Sequence, residues 1–338
     1  GNDMCGIYFY KGTKHSQEAL EDDIGLISYR GPDNTQHEKL ADNILFGFHR
    51  LAIMGMSVTG NQPMRHPKND SLTMICNGEI YNYLKLAKKY KLDLVTGSDC
   101  EIILLMFEKF GIEKTIAELD GVFMFVIYDS SKCEITAGRD PMGVRPGFIG
   151  YDGEEIMIAS EAKPLIKYCK DISPFPPGAW WHSKSPNKFN SYFHYNGMRN
   201  QEKTEEDICN KIQLLLTDAV QKRLMAEREI GCLLSGGLDS SLISALVNKY
   251  YDGPKLNTFS IGLPGSIDLK YAQTVADHLG TKHHQIEVSE DDFLNAIDKV
   301  IYAIESYDTT TVRASVGNYL VSKYISENSD CKVIFNGD

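Results

Sequence analysis

The stretch Ile230-Gly231-Cys232-Leu233-Leu234-Ser235-Gly236-Gly237-Leu238-Asp239-Ser240-Ser241 decides the fold of the second half of the chain. An apolar run at 230–234 reads as a strand, and the spacing at 240–249 predicts an amphipathic helix directly after the turn. Two adjacent glycines let backbone amides approach an anion closely, and the helix N-terminus adds partial positive charge. Ser235, Ser240 and Ser241 can donate further hydrogen bonds, and Asp239 can hold a magnesium ion that neutralises phosphates. The pattern is not Gly-x-x-x-x-Gly-Lys-Ser/Thr, which sets it apart from Walker-type loops. A Ser-rich turn that merely caps a helix is the plainer alternative, and the flanking strand and helix argue against it.

The alternation continues outward, with strands expected at 257–261, 284–288 and 332–335, helices at 240–249 and 269–279, and two further helices before the last strand. Strand-helix alternation implies a parallel sheet with helices on its faces and a ligand site at the strands' C-terminal edge. Upstream, 205–224 carries Ile208, Ile212, Leu215, Leu216, Ala219, Val220 and Leu224 at helical spacing. The first half reads differently. Short apolar strands at 5–10, 44–53, 72–76, 122–128, 134–137 and 156–159 are interrupted by helical spacing at 16–27 and 100–110, where Ile103, Met106, Phe107 and Phe110 share a face. A layered α+β domain is the economical reading. Between 173 and 203, Pro, Gly and aromatics without a sustained period suggest an ordered connection ending in a linker, which puts the domains at 4–203 and 204–338.

At 338 residues the chain exceeds what one core usually serves. Its net charge of -11, from 46 acidic against 35 basic side chains without a long block of either sign, excludes double-stranded nucleic acid and anionic membrane surfaces as expected partners. The longest apolar stretches, such as 121–128, fall far short of the roughly 20 residues that span a bilayer. Gly1-Asn2-Asp3-Met4 lacks a basic n-region, so no secretory signal is expected. The eight cysteines form no Cys-x-x-Cys pair, which fits a reducing, cytoplasmic setting with most thiols as buried hydrophobes.

Met4-Cys5-Gly6-Ile7 is the second strong signal: removal of Met4 leaves Cys5 with a free α-amine, whose pKa of about 8 suits it as a built-in base for the thiol. Tyr29-Arg30-Gly31-Pro32-Asp33, His49-Arg50-Leu51-Ala52-Ile53, Asn61-Gln62-Pro63-Met64, Asn77-Gly78-Glu79-Ile80-Tyr81-Asn82 and Ser98-Asp99-Cys100-Glu101 accompany it. Arg50 can pair bidentately with a carboxylate, Glu79 and Asp99 can hold an α-ammonium, and Asn77 with the Gly78 amide suits an oxyanion hole. Singly, each has a duller explanation: Asn77-Gly78 as a hairpin turn, Arg50 and Glu79 as surface charges, Asp99 as a helix cap.

Together these segments resemble the class II glutamine amidotransferase domain, an N-terminal nucleophile glutaminase, which implies a four-layer αββα fold. The resemblance makes Cys5, Asn77 and Gly78 catalytic, and surrounds glutamine with Arg50, Leu51, Ile53, Asn77, Gly78, Glu79 and Asp99. The Ser235 loop resembles that of the ATP pyrophosphatase superfamily, an adenine nucleotide α-hydrolase-like α/β fold. Likeness to the asparagine synthetase family continues through Phe259-Ser260-Ile261-Gly262-Leu263-Pro264-Gly265-Ser266-Ile267-Asp268-Leu269 and Glu305-Ser306-Tyr307-Asp308-Thr309-Thr310-Thr311-Val312-Arg313-Ala314-Ser315. It implies ATP at Leu234, Ser235, Gly236, Gly237, Asp239, Ser240, Ser241, Ile261, Asn336 and Gly337, magnesium at Asp239, and aspartate beside Thr310, Thr311 and Arg313. For Asp268 and Arg313 a surface or interdomain ion pair is the competing explanation.

The implied reaction makes asparagine from aspartate, glutamine and ATP through a β-aspartyl adenylate, with ammonia passing between sites; the family is often dimeric. A leader left attached at Gly1-Asn2-Asp3 would replace the Cys5 amine by an amide and stop glutamine hydrolysis. At the other end, Asn336 and Asp338 stand where the family has Ser and Glu, the chain stops before the family's downstream magnesium-site aspartate and lysine, and the chain as written is expected not to complete synthesis. A non-catalytic sensor of glutamine or ATP is the rival from another class, and a β-lactam synthetase relative the nearest enzyme alternative, opposed by the intact glutaminase set.

Overall fold

The structure is a computed structural model that describes residues 5–197 and 203–337. The leader through Met4, the linker expected around 198–202 and Asp338 lie outside the described residues. Two compact units divide the chain, one ending at Gly197.

In the first unit the strands are β1 (Gly6–Lys11), β2 (Asn34–Ala41), β3 (Ile44–Arg50), β4 (Met64–His66), β5 (Asn69–Ile80), β6 (Gly121–Asp129), β7 (Glu134–Arg139), β8 (Phe148–Asp152), β9 (Glu155–Ala159), β10 (Asp171–Pro174), β11 (Ala179–His182) and β12 (Phe189–Ser191). The helices are α1 (Gln17–Ile24), α2 (Tyr83–Tyr90), α3 (Glu101–Phe110) and α4 (Ile112–Glu118). Two six-stranded sheets result, ordered β10-β8-β9-β1-β3-β2 and β12-β11-β7-β6-β5-β4. Their pairings are antiparallel.

Period-two alternation explains the layering, because successive side chains of a strand point to opposite faces. In β1, Ile7 and Phe9 join a core with Phe46, Phe48, Ile75, Met124 and Val126 between the sheets, whereas Tyr8 and Tyr10 join Leu20 and Ile24 of α1. In β6, Met124, Val126 and Tyr128 face that shared core, while Phe123, Phe125 and Ile127 pack with Leu86, Ile103 and Ile116 of the helices beyond. Helix, sheet, sheet, helix is therefore the order of layers, as expected. Strands buried on both faces read as continuous apolar runs, which is why β1 and β6 stand out in the sequence.

Some expectations need correction. Asn77-Gly78 is no hairpin turn: both residues lie within β5, paired with Met124 and Phe123. The segment after 173 is not only a connection, since β11 and β12 extend the second sheet and β10 closes the edge of the first.

The second unit has β13 (Ile230–Leu233), β14 (Asn257–Gly262), β15 (Lys282–Glu287) and β16 (Val333–Phe335), with α5 (Glu205–Arg223), α6 (Leu238–Tyr250), α7 (Ile267–Leu279), α8 (Glu290–Ile304) and α9 (Thr309–Asn328). The sheet order is β15-β14-β13-β16, all parallel. Helix α6 starts at Leu238, two residues ahead of the expected start. Helix α5 is set by a capping box between Thr204 and Asp207, yet of its apolar positions only Val220 is buried. No described helix is long and apolar enough to cross a membrane.

Candidate functional site

Cys5 sits one residue ahead of β1, and the antiparallel register Gly6↔His49 brings it beside the end of β3. The Leu51 amide donates to the Cys5 sulfur at 3.3 Å, and the thiol lies 3.5 Å from the Leu51 carbonyl. Burial pushes the thiol up to about 11; the Leu51 backbone and the positive charges of Arg145 and Arg30 act against that. At neutral pH the sulfur is therefore a thiol that needs a base.

The short motifs acquire physical reasons around this end. A Cβ at Gly31 would lie 2.2 Å from the His49 carbonyl, so only glycine lets the 3-10 turn at Gly25–Arg30 approach β3. That approach allows Arg30 Nε to donate to the Cys5 carbonyl at 3.1 Å and Asp33 to accept from the Ala52 amide at 2.8 Å. Gln62 reproduces a strand edge: its side chain accepts from the Cys76 amide at 2.6 Å and donates to the Cys76 carbonyl at 3.1 Å. Glu101, fully buried, accepts from the Val95 and Thr96 amides and holds the loop that leads into Asp99.

Asn77 is 2 % exposed, and its Nδ2 has no hydrogen-bond partner among the described residues. Leaving an amide donor buried and unpaired costs about 1–3 kcal/mol, so a polar ligand atom there would be stabilised. Gly78 follows it in β5, and a Cβ there would meet the Val122 carbonyl at 2.6 Å. Glu79 forms an ion pair with Arg145 at 3.6 Å. Asp99 accepts from the Ile80 amide at 2.6 Å; burial raises its carboxyl to about 7, with the Glu79 charge adding to the rise. The guanidinium of Arg50 donates to Ser57 and Met54 carbonyls at 3.0 and 3.4 Å and also to Gly55 and Asn61, which ties it to the 54–61 loop. A substrate carboxylate would meet these competing acceptors. Leu51 is buried and Ile53 half-buried beside this loop.

Two contributors went unread in the sequence. Arg145 is held by a turn in which Asp140 accepts from the Met142, Val144 and Arg145 amides, and its own Nε is buried without a partner among the described residues. Glu161 pairs with Arg30 at 3.7 Å and Lys163 at 3.0 Å. The Asp-Pro-Met-Gly turn was the available signal for Arg145; nothing local marked Glu161.

The second constellation gathers where β13 meets α6. Leu234 is buried, its amide donating to the Phe259 carbonyl at 2.8 Å, and Ile261 lies half-buried on neighbouring β14. Gly236 has φ +85°, and a Cβ there would lie 2.7 Å from the Ala272 amide, so the turn requires glycine. The hydroxyls expected to face phosphate make local bonds: Ser235 with Ser240 at 2.8 Å, and Ser241 donating to the Gly237 carbonyl at 2.6 Å. Asp239 is exposed in the first turn of α6. Gly337, just past β16, packs against this helix start: a Cβ there would lie 2.6 Å from the Ser240 amide, which brings Asn336-Gly337 to the loop. Thr310, Thr311 and Arg313 are exposed at the start of α9, with the Thr311 hydroxyl donating to Asp308, the helix cap, at 2.7 Å. Among the described residues no three His, Cys, Asp or Glu gather as a metal cage.

Two family models match. Residues 4–210 match the glutamine amidotransferase domain and residues 211–338 match asparagine synthase. A protein described as asparagine synthetase [glutamine-hydrolyzing] from Homo sapiens is 39% identical over 366 residues, covering 99% of this chain, and its Gallus gallus counterpart is 37% identical. The chain spans 65% of the length of these curated relatives. Among solved structures, one described as the allosteric regulatory enzyme of purine biosynthesis aligns over 98% of this chain and 90% of its own, with 14% identity and a TM-score of 0.49.

Proposed function

We propose, from the premise that this chain belongs to the glutamine amidotransferase family, that residues 4–203 hydrolyse glutamine and residues 204–338 belong to an ATP pyrophosphatase domain that uses the ammonia to make asparagine from aspartate. The observation that carries the reading is the buried Asn77 amide, unpaired among the described residues, in a unit whose Cys5 thiol is held against the Leu51 backbone.

With Cys5 as first residue, its α-amine takes the thiol proton and the thiolate attacks the side-chain amide of glutamine. Asn77 Nδ2 and the Gly78 amide hold the oxyanion as it forms. The proton returns to the leaving nitrogen, ammonia departs, and water hydrolyses the glutamyl thioester to glutamate and free thiol. Arg50, Leu51, Ile53, Glu79 and Asp99 orient the amino acid. In the second domain the aspartate side-chain carboxylate attacks the α-phosphate of ATP, pyrophosphate leaves, and ammonia displaces AMP from the β-aspartyl adenylate.

Leu234, Ile261, Asn336 and the Ser235–Ser241 loop would hold the nucleotide, with Thr310, Thr311 and Arg313 beside the aspartate. Asp239, an exposed carboxylate, would hold a magnesium ion, which would neutralise phosphate charge. The same reading places the protein in the cytoplasm as a homodimer, which light scattering tests. The decisive experiment is glutamate release from glutamine by the chain starting at Cys5. A Cys5→Ala variant is expected to lose at least about 10³-fold in rate; equal rates would remove Cys5 as nucleophile.

A further inference from the structure

The continuation of β9 runs alongside the start of β1, where the Ile7 amide donates to the Ser160 hydroxyl at 3.0 Å and the Ser160 amide donates to the Ile7 carbonyl at 3.1 Å. This places Glu161 and Lys163 next to the chain end that carries Cys5. Both are buried, at 5 % and 8 % exposure, and so is Arg30 at 8 %. Charges are rarely buried without a partner, and these are linked. Glu161 accepts from Lys163 at 3.0 Å and from the Tyr29 hydroxyl, and pairs with Arg30 at 3.7 Å. Lys163 also donates to the Tyr29 hydroxyl at 3.4 Å. Arg30 in turn donates through Nε to the Cys5 carbonyl. A chain of ionic contacts thus runs from Lys163 through Glu161 to Arg30, whose hydrogen bond reaches the nucleophile's own backbone.

We propose that Glu161 and Lys163 are positioning residues for the Cys5 nucleophile, acting in opposite senses on the charge that reaches it through Arg30. Neither side chain has a place in the glutamine cleft assigned above, and the assignment of Cys5 as nucleophile is the part of the proposed function on which this rests. The other charged and titratable groups around Cys5 are Arg145, which pairs with Glu79, then Asp99 beside Glu79, Cys76 and Cys100. His49 belongs to β3, with its ring engaged by Thr35 and the Ile24 carbonyl.

In a buried setting a charge change several ångströms away moves a neighbouring ionisation by about 0.5 pH unit or more. Replacing Glu161 by Gln removes an anion and favours the thiolate; replacing Lys163 by Met removes a cation and disfavours it. The test is iodoacetamide alkylation of Cys5 in the full chain at pH 8, read by peptide mass spectrometry, with folding of each variant checked by circular dichroism. Because the thiolate is the reacting species, Glu161→Gln is expected to raise the rate about threefold and Lys163→Met to lower it about threefold. Lys163→Arg, which keeps the charge, is expected to match the parent. Changes in the same direction, or rates within about 1.5-fold of the parent in both neutralised variants, overturn the proposal. If Glu161→Gln fails to fold, the contrast between Lys163→Met and Lys163→Arg decides alone. Glutamate release, measured separately on the chain starting at Cys5, tells the two readings apart. Opposite alkylation shifts without glutamate release would sink the glutaminase reading and leave the charge coupling standing, and release without shifts would do the reverse.

Discussion

The two constellations treat their polar groups in opposite ways. In the proposed glutaminase site the donors are buried and part of them is left unpaired: Asn77 Nδ2, Arg30 Nη2 and Arg145 Nε have no partner among the described residues. At the Ser235 loop the side chains are mostly exposed and satisfy one another through Ser235, Ser240 and Ser241. A low-dielectric interior strengthens an aimed dipole, so the first arrangement suits charge that develops during a reaction. The second, with backbone amides and a helix start open to water, suits a ligand that arrives already charged.

The strongest way to break this contrast is Asn77→Ala. If the buried amide stabilises an oxyanion, kcat for glutamate release falls about 10²–10³-fold with KM little changed, as steady-state kinetics would show. A comparable rise in KM at constant kcat would instead make Asn77 a ground-state contact.

Next in size is Gly31→Ala. Its Cβ would collide with the His49 carbonyl, and backbone cannot yield as a flexible side chain does. A loss of about 1–3 kcal/mol in urea unfolding is expected, together with slower glutamate release because Arg30 moves from the Cys5 carbonyl.

The pH dependence of stability sharpens the same contrast. Asp99 in the folded chain sits at about 7 against its ordinary 3.8. Between those values the folded state keeps a proton that the unfolded state has released. Its contribution is therefore fully present below about pH 4 and is lost as pH rises through about 7. Urea unfolding at pH 5 and pH 8 is expected to show a smaller drop in an Asp99→Asn variant than in the parent, by about 2–3 kcal/mol. The smallest effect belongs to the exposed loop: Ser235→Ala is expected to change unfolding free energy by no more than about 1 kcal/mol.

How much of this was legible in the sequence follows from burial. Strands β1, β3, β5 and β6 carry continuous apolar runs and were found, with β5 extending further than its apolar part because Asn77, Gly78 and Glu79 continue the ladder. Edge strand β2, Asn-Thr-Gln-His-Glu-Lys-Leu-Ala, is polar on both faces and escaped notice, as did the short β4, β8, β10 and β12. Helix α2 was missed because it is short and Asn82 makes no capping bond to its start. The stripe on α5 misled in the other direction, predicting burial that reaches only Val220. At the site, the residues in short local motifs were readable, whereas Glu161 and Lys163 act across more than a hundred positions of sequence, as the Glu161–Arg30 contact shows. Spacing rules have no reach over such distances.

The Cys5 sulfur is attached just ahead of a strand flanked on both sides, by β3 and β9. Segments next to a chain end ordinarily fray and exchange their amide hydrogens fast. Here Ile7 through Tyr10 lie in the middle of a sheet and are fully or almost fully shielded from water. Their amides are expected among the slowest to exchange with deuterium, opening only when the whole unit unfolds. Thermal inactivation of the thiol chemistry would then coincide with loss of the fold and show no earlier, local melting.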